Sequence, residues 1–128
     1  MAAEATELVT LWGLHVTDPA EYDRYRAAMM PILARFGGSF GYDFVIAAVK
    51  KTEAPHPITR VFTMCFPDEG SSVAFFADAG YREARARHFE GAVRGVTRIG
   101  AFERPKVLAD GATGSNALDA NPVRGLDD

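Results

Sequence analysis

The sequence predicts an α+β domain whose strands and helices follow one another in the order βαββαβ. Three observations predict this order: a well-marked amphipathic helix directly after an apolar strand, two alternating strands joined by a proline-containing loop, and an interrupted second helix before a last strand. The chain has 128 residues, which suffice for one hydrophobic core. We therefore expect a single ferredoxin-like domain, with four antiparallel strands and two helices on one face of the sheet.

The first strand and the start of the first helix follow from local signals. Apolar residues alternate between two faces from Leu8 to Val16, which is the period of a strand. Asp18 is a capping residue, Pro19 suits the first helical position, and Glu21 completes a capping box. A helix is therefore expected to begin directly after the strand.

The body of this helix carries one apolar stripe and one proline. The residues that recur at helical spacing are Tyr22, Tyr25, Arg26, Met29, Leu33 and Phe36. The stripe stays in phase across Pro31, so we expect this proline to kink a single helix and not to divide it. Gly37 and Gly38 predict the end of the helix.

The remaining elements are two strands, a broken helix and a last strand. Alternating apolar residues predict each strand, and a loop with two prolines separates the first two. A proline–aspartate pair starts the second helix, and an alanine–glycine step interrupts it. In chain order, the predicted bounds are residues 39–49, 58–66, 67–90 with a break near 79–80, and 95–102.

Composition excludes several classes of partner. The formal net charge of −3 is unlike the basic surface that nucleic-acid binding requires. No apolar run approaches the roughly 20 residues that span a membrane. Cys65 is the single cysteine, and the sequence shows no secretory leader. We therefore expect a cytoplasmic protein that binds neither nucleic acid nor membrane.

The apolar pattern stops before the end of the chain. Residues 1–104 form the predicted domain. Residues 105–128 lack an apolar period and are rich in glycine, asparagine, aspartate and alanine. We expect this C-terminal tail to be either mobile or packed on a partner subunit.

Both faces of the predicted sheet are apolar, although helices are expected to cover only one of them. One set of residues is large and aromatic: Trp12, Phe40, Tyr42, Phe44, Phe62, Met64 and Phe102. The other set is smaller, and we expect it to lie beneath the helices: Val9, Leu11, Val45, Ala47, Val61, Cys65, Ile99 and Ala101. A second copy of the chain would cover the aromatic set, so the sequence predicts a homodimer.

Several short motifs resemble the family called domain of unknown function 1330. They are Asp-Pro-Ala-Glu-Tyr at residues 18–22, Tyr25-Arg26, Pro31, Phe36-Gly37-Gly38, Arg60-Val61, Phe66-Pro67 and Tyr81. The resemblance covers about residues 8–103 and implies a dimeric α/β barrel made of two ferredoxin-like domains. It also implies kinship with a superfamily that includes cofactor-free monooxygenases, polyketide cyclases and lactone isomerases. The family itself has no general assigned activity.

Two arginines are candidates for ligand binding. Arg60 and Arg98 lie on strand faces otherwise occupied by aromatic residues. A guanidinium in such a place needs a carboxylate, an aromatic ring or an anionic ligand. We predict that Arg60 points into the barrel and holds an anionic group, that Arg98 contributes to the same site, and that three aromatic residues form its walls: Trp12, Tyr42 and Phe62. The alternative is that the arginines reach the rim or pair across the dimer.

Candidates for chemistry are few. The three histidines stand at no metal-ligand spacing, so the sequence predicts no metal and no cofactor. If the protein is an enzyme, His15 and Tyr42 are the candidates for proton transfer. Cys65 lies in the middle of a strand, and we expect a buried and unreactive thiol.

Two functions remain open from the sequence. The protein is either a homodimer that binds a small, partly aromatic molecule, with or without an anionic group, in the barrel, or a non-catalytic dimeric module with a filled barrel. In the first case it could be a metal-free oxygenase, a cyclase or an isomerase. A void of roughly 300–1,000 Å³ would favour ligand binding. A salt bridge on Arg60 would favour the module.

Overall fold

A four-stranded antiparallel sheet in the order β2-β3-β1-β4 carries helices on one of its faces. A computed structural model of the chain describes residues 5–106. The elements are β1 Thr6–Val16, α1 Pro19–Arg35, β2 Ser39–Val45, β3 Arg60–Phe66, α2 Glu69–Ala77, α3 Ala79–Ala84, a π-helical segment Arg85–Phe89, α4 Glu90–Ala92 and β4 Val93–Pro105. The predicted βαββαβ order and ferredoxin-like sheet are confirmed. Of the predicted tail, residues 107–128 lie outside the described part.

Helix α1 begins as predicted but lacks half of its capping box. The Glu21 backbone N–H donates to Asp18 Oδ1 at 3.1 Å, which confirms the cap. The Glu21 carboxylate does not return to the Asp18 backbone; it bonds Arg24 Nε and His88 Nδ1, both at 2.7 Å. The helix continues without interruption through Pro31, as predicted.

The end of α1 is a Schellman motif. The N–H of Gly38 donates to the carbonyl of Leu33 at 2.9 Å, and the N–H of Gly37 donates to that of Ala34 at 3.0 Å. Gly37 has φ 76°, a conformation that side chains with a Cβ rarely adopt. This residue turns the chain from α1 into β2.

The core lies between the helices and the sheet face that bears the large side chains of β1 and β3. Its sheet residues are Leu14, Phe62, Met64 and Phe66, and its helix residues include Tyr22, Met29, Leu33, Phe75, Tyr81 and Phe89. The predicted assignment of the two faces is therefore wrong, because Trp12 and Phe62 lie beneath the helices and do not face a second copy. Alternation fixes which residues share a face, but it does not say which face meets the helices when both are apolar.

A bulge in β2 divides the aromatic set between the two faces. Phe40 pairs with Met64, yet Asp43 pairs with Phe62, so β2 has one extra residue. The extra residue reverses the alternation: Phe40 and Asp43 lie on the helix side, whereas Tyr42 does not. The predicted grouping of Tyr42 with Trp12 and Phe62 is therefore wrong.

The sheet face away from the helices, called here the open face, is apolar, and no helix of the described residues covers it. Its most exposed large side chains are Tyr42 at 57%, Phe44 at 51%, Ile99 at 52% and Phe102 at 49%. Smaller members of the face come from β1 and β3: Val9, Leu11, Val61 and Cys65. The surplus apolar face predicted from the sequence therefore exists, but with different residues on it.

The loop 46–59 covers one end of the open face. His56 Nε2 lies 2.7 Å from Thr97 Oγ1, which fastens the loop to β4. Ile58 packs on Gly13: a Cβ added at Gly13 would lie 2.9 Å from Ile58 Cδ1. Strands β2 and β3 are accordingly shorter than predicted, since the loop takes up their adjoining ends.

Candidate functional site

A cavity of about 290 Å³ lies between the sheet and the helices. Aromatic side chains form most of its wall, among them Trp12, Tyr22, Tyr25, Phe62, Tyr81 and Phe89. Arg85 is the one charged residue that lines it. Such a combination of apolar walls and few polar groups is typical of small-molecule sites.

Two buried phenols meet in the cavity wall. The hydroxyl oxygens of Tyr25 and Tyr81 lie 2.8 Å apart and share a hydrogen bond. Burial, followed by the neighbouring Tyr81, raises the pKa of Tyr25 far above its ordinary value, so this phenol is neutral at physiological pH. A third phenol, Tyr22, accepts a hydrogen bond from Arg26 Nε at 2.9 Å, and burial raises its pKa as well.

Arg85 lies on the π-helical segment beside the cavity. Its Cζ is 4.4 Å from the centroid of the Phe89 ring. Within residues 5–106, no carboxylate forms a salt bridge with this half-buried guanidinium. Short π-helical segments inside helices occur frequently at functional sites.

Arg60 is neutralised by a carboxylate, so the prediction that it holds an anionic ligand in the barrel is wrong. Its Nε and Nη2 donate to the two Asp43 carboxylate oxygens at 2.8 and 3.1 Å. Arg26 Nη1 donates to the same carboxylate at 3.0 Å. Burial raises the pKa of Asp43, but the hydrogen bonds from Arg60 and Arg26 outweigh it and lower the pKa overall.

Arg26 is held by aromatic rings as well as by Asp43. Its Cζ lies 3.9 Å from the Phe40 ring centroid and 4.9 Å from that of Phe62. Its buried Nη2 has no hydrogen-bond partner among residues 5–106. The aromatic faces therefore stabilise the part of this cation that the carboxylate does not reach.

Apart from Arg60, the predicted ligand-binding residues separate into three places. Trp12 and Phe62 line the cavity, on the helix side of the sheet. Arg98 is exposed and lies in a shallow groove beside Trp12 and α2. Tyr42 is on the open face, stacked on Phe44 with ring centroids 5.8 Å apart. The structure thus brings together only two of the residues proposed from the sequence.

The residues proposed for proton transfer do not line the cavity. His15, half-buried, pairs with Gly95 in the sheet and lies on the open face, as does Tyr42. Cys65 is buried, and burial raises the pKa of its thiol. Among residues 5–106, no group of three His, Cys, Asp or Glu side chains is placed to hold a metal ion, and no helix is long and apolar enough to cross a membrane.

The sequence reading missed the polar groups of the cavity. Tyr25 and Tyr81 are 56 positions apart, and only the packing of α1 against α3 joins their hydroxyls. A signal did exist for each, since Tyr25 lies on the helical stripe and Tyr81 belongs to the motifs quoted above. No local signal distinguishes Arg85 from its arginine neighbours, because the π-helical turn that positions it has no sequence signature.

The sequence model of the family described as "Domain of unknown function (DUF1330)" matches residues 10–101. No curated protein matches the chain. The match includes at least part of every strand of the sheet and all the residues that line the cavity. It therefore covers the fold and the candidate site together.

Several solved structures share the fold. The RPA0582 protein of unknown function from Rhodopseudomonas palustris has a TM-score of 0.63 and 17% identity, over 81% of this chain and 85% of that one. A dabb family protein with a ferredoxin-like fold from Mesorhizobium loti has a TM-score of 0.53 and 12% identity, over 80% and 99%. A variant of SnoaB, a cofactor-independent oxygenase from Streptomyces nogalater, has a TM-score of 0.50 and 18% identity, over 84% and 99%.

Proposed function

The chain belongs to the DUF1330 family, and we propose that it binds a small, partly aromatic molecule in the cavity between the sheet and the helices. The observation that carries the proposal is the aromatic cavity of about 290 Å³ with phenol and guanidinium groups in its wall. Ligand pockets combine apolar walls with a small number of polar groups in the same way. The ligand thus lies within one chain, and not in the barrel interior expected from the sequence.

The size of the cavity limits the ligand. An engineered apolar cavity of about 150 Å³ accepts benzene. The cavity described here is about 290 Å³, close to twice that volume. Molecules with two fused aromatic rings are therefore the class that fits, and planar rings can stack against Trp12 and Phe62.

The open face supports a homodimer. It exposes four large apolar side chains, Tyr42, Phe44, Ile99 and Phe102. Its charged residues neutralise each other, since Arg104 Nε donates to Glu7 Oε2 at 2.9 Å. An apolar face on which Glu7 and Arg104 are paired is suited to a second copy of itself around a twofold axis. We propose that two open faces meet in this way and form a dimeric α/β barrel.

Ligand binding is the activity that the geometry of the cavity supports best. His15 and Tyr42, the proton-transfer candidates, lie on the open face and outside the cavity wall. The phenols in the cavity are neutral donors, because burial raises the pKa of Tyr22 and Tyr25. These groups can hold and orient a ligand.

A second candidate is a non-catalytic dimeric module without a ligand. The bidentate Arg60–Asp43 pair favours it, because it removes the anion-binding group that the sequence suggested for the barrel. Under this alternative the protein acts through its outer surfaces, and the cavity between sheet and helices is a packing defect.

Calorimetric titration with naphthalene distinguishes the two candidates. We expect the wild-type chain to bind it and Val96→Trp, which fills a position in the cavity wall, to weaken binding about tenfold or more. Val45→Trp is the matched control, an exposed strand valine that does not line the cavity. If neither naphthalene nor its oxygenated analogues bind the wild type, the binding proposal fails and the module is favoured.

A further inference from the structure

We propose that the cavity selects aromatic ligands bearing a hydrogen-bond-accepting oxygen, preferably an ionised one, and that Tyr25, Tyr81 and Arg85 make this selection. The inference rests on the proposed function, because it concerns the same cavity. It goes further by assigning the chemical class of the ligand and the residues that recognise it.

The three tyrosine hydroxyl groups in the cavity wall have more protons to donate than hydrogen-bond acceptors within reach. Tyr25 and Tyr81 share one hydrogen bond, which uses one of their two hydroxyl protons. Tyr22 accepts from Arg26, so that bond does not use the Tyr22 proton. Neither remaining proton has an acceptor among residues 5–106. Buried polar groups normally have partners, so these phenols are suited to an acceptor on a ligand.

Arg85 adds donors and a positive charge to the same wall. A guanidinium only donates hydrogen bonds, so it favours an acceptor over a donor on the ligand. The positive charge of Arg85 lowers the pKa of Tyr25, although burial raises it by more. Arg85 and Tyr25 are therefore close enough to interact with the same ligand group. The guanidinium stacks on Phe89 and has no carboxylate partner in the described part of the chain. An ionised ligand oxygen would supply the missing counter-charge.

The neighbouring arginine provides a contrast. Arg87, two residues along the same segment, forms a salt bridge with Glu83 at 3.3 Å and does not line the cavity. Arg85 differs from it in both respects. Arg85 is a cation that faces an apolar cavity. Apolar surroundings screen charge less than water does, so the attraction between Arg85 and an anion is stronger there than in water. The expected preference for a charge-assisted contact is about tenfold to a hundredfold in affinity.

Calorimetry with four naphthalene probes tests the inference. They are naphthalene, 2-naphthol, 2-naphthoate and the cation of 2-(aminomethyl)naphthalene, which share one ring system and differ in the polar group. We expect 2-naphthoate to bind at least about tenfold more tightly than naphthalene, 2-naphthol to lie between them, and the cation to bind most weakly.

Variants assign the preference to residues. Tyr25→Phe, Tyr81→Phe and Arg85→Met should each lower the ratio of naphthoate to naphthalene affinity, with the loss for Arg85→Met about tenfold. The matched controls, Tyr42→Phe and Arg87→Met, should leave the ratio unchanged. Because each variant is scored by a ratio, naphthalene binding reports in the same sample whether the cavity is still formed. Arg85→Lys, which keeps the charge, should retain most of the preference. Arg85→Gln, which removes the charge, replaces Arg85→Met if the latter does not fold.

The outcomes separate this inference from the proposed function. If naphthalene and naphthoate bind equally, or if Arg85→Met (or Arg85→Gln in its place) keeps the full preference, the selection is wrong while the cavity remains a binding site. If none of the four probes binds, the proposed function fails, and the inference fails with it. Naphthoate binding that is lost in Arg85→Met but not in Arg87→Met supports both.

Discussion

Asp43 and Arg60 form a bidentate ion pair, in which Nε and Nη2 of the arginine donate to the two carboxylate oxygens at 2.8 and 3.1 Å. The pair exists because the β2 bulge places Asp43 on the same face as Arg60. Strict alternation would have placed the carboxylate on the opposite face. One extra residue in a strand therefore converts a predicted ligand-binding arginine into a structural one.

The first prediction concerns Asp43→Asn and pH. The hydrogen bonds from Arg60 and Arg26 outweigh burial and place the folded-state pKa of Asp43 below its unfolded value of about 3.9. A lowered carboxylate pKa gives stability that is present above about pH 4 and is lost as the pH falls through the folded-state pKa. Urea unfolding should show Asp43→Asn to be less stable than wild type by about 1–2 kcal/mol at pH 7, after allowance for solvent screening.

The same comparison at low pH supplies the decisive contrast. The stability gap between wild type and Asp43→Asn should narrow as the pH falls below about 4 and through the lowered pKa of Asp43, because wild-type Asp43 then becomes protonated. Glu53→Gln, in the exposed loop 46–59, is the control and should match wild type throughout. A gap that stays constant with pH would show that the ion pair does not contribute as described.

The second prediction concerns the dimer. Phe44→Glu places a charge on the open face, where a desolvated contact between two sheets would not tolerate it. Sedimentation velocity at micromolar concentration should show a dimer for wild type and a monomer for Phe44→Glu. Val73→Glu, at an exposed apolar position on α2, should remain dimeric. A wild-type monomer would refute the proposed pairing of open faces.

The third prediction concerns the turn after α1. Gly37 has φ 76°, and a Cβ there would approach Pro67 Cγ to 2.8 Å. Gly37→Ala should therefore destabilise the fold by about 1–2 kcal/mol, measured by chemical unfolding. Gly91→Ala is the control, because a Cβ at Gly91 meets no described atom within 4 Å. Equal stability of Gly37→Ala and wild type would contradict the Schellman geometry.

The element order and the first helix could be predicted because their signals are local. The Asp18 cap, the stripe through Pro31 and the stop at Gly37 each depend on neighbouring residues, and all three are confirmed. The predicted bond from the Glu21 carboxylate back to the Asp18 backbone does not form, because Glu21 bonds His88, which is distant in sequence.

The site could not be predicted because it depends on facts that alternation does not contain. Two apolar faces leave the choice of buried face open, and the bulge at residues 41–42 moves Tyr42 away from Phe62. The Tyr25–Tyr81 hydroxyl pair needs two helices to pack, and Arg85 is directed by a π-helical turn. Trp12 and Phe62 line a cavity, but it lies on the other side of the sheet from the barrel for which the sequence proposed them.

The fourth prediction concerns Cys65. Its thiol is buried, and burial raises its pKa, so the reactive thiolate is scarce at pH 7. Maleimide labelling of the native chain should be slow and should become fast in urea. Rapid labelling of native wild type would contradict the described burial.

The position of a bound probe tests the central claim most directly. With methyl-labelled protein and 2-naphthoate, intermolecular nuclear Overhauser effects would report which methyl groups contact the rings. The cavity between sheet and helices predicts contacts to the methyl groups of Leu14, Met29 and Met64. Contacts instead to Val61 and Ile99 would place the ligand on the open face, inside the barrel, and would contradict the account.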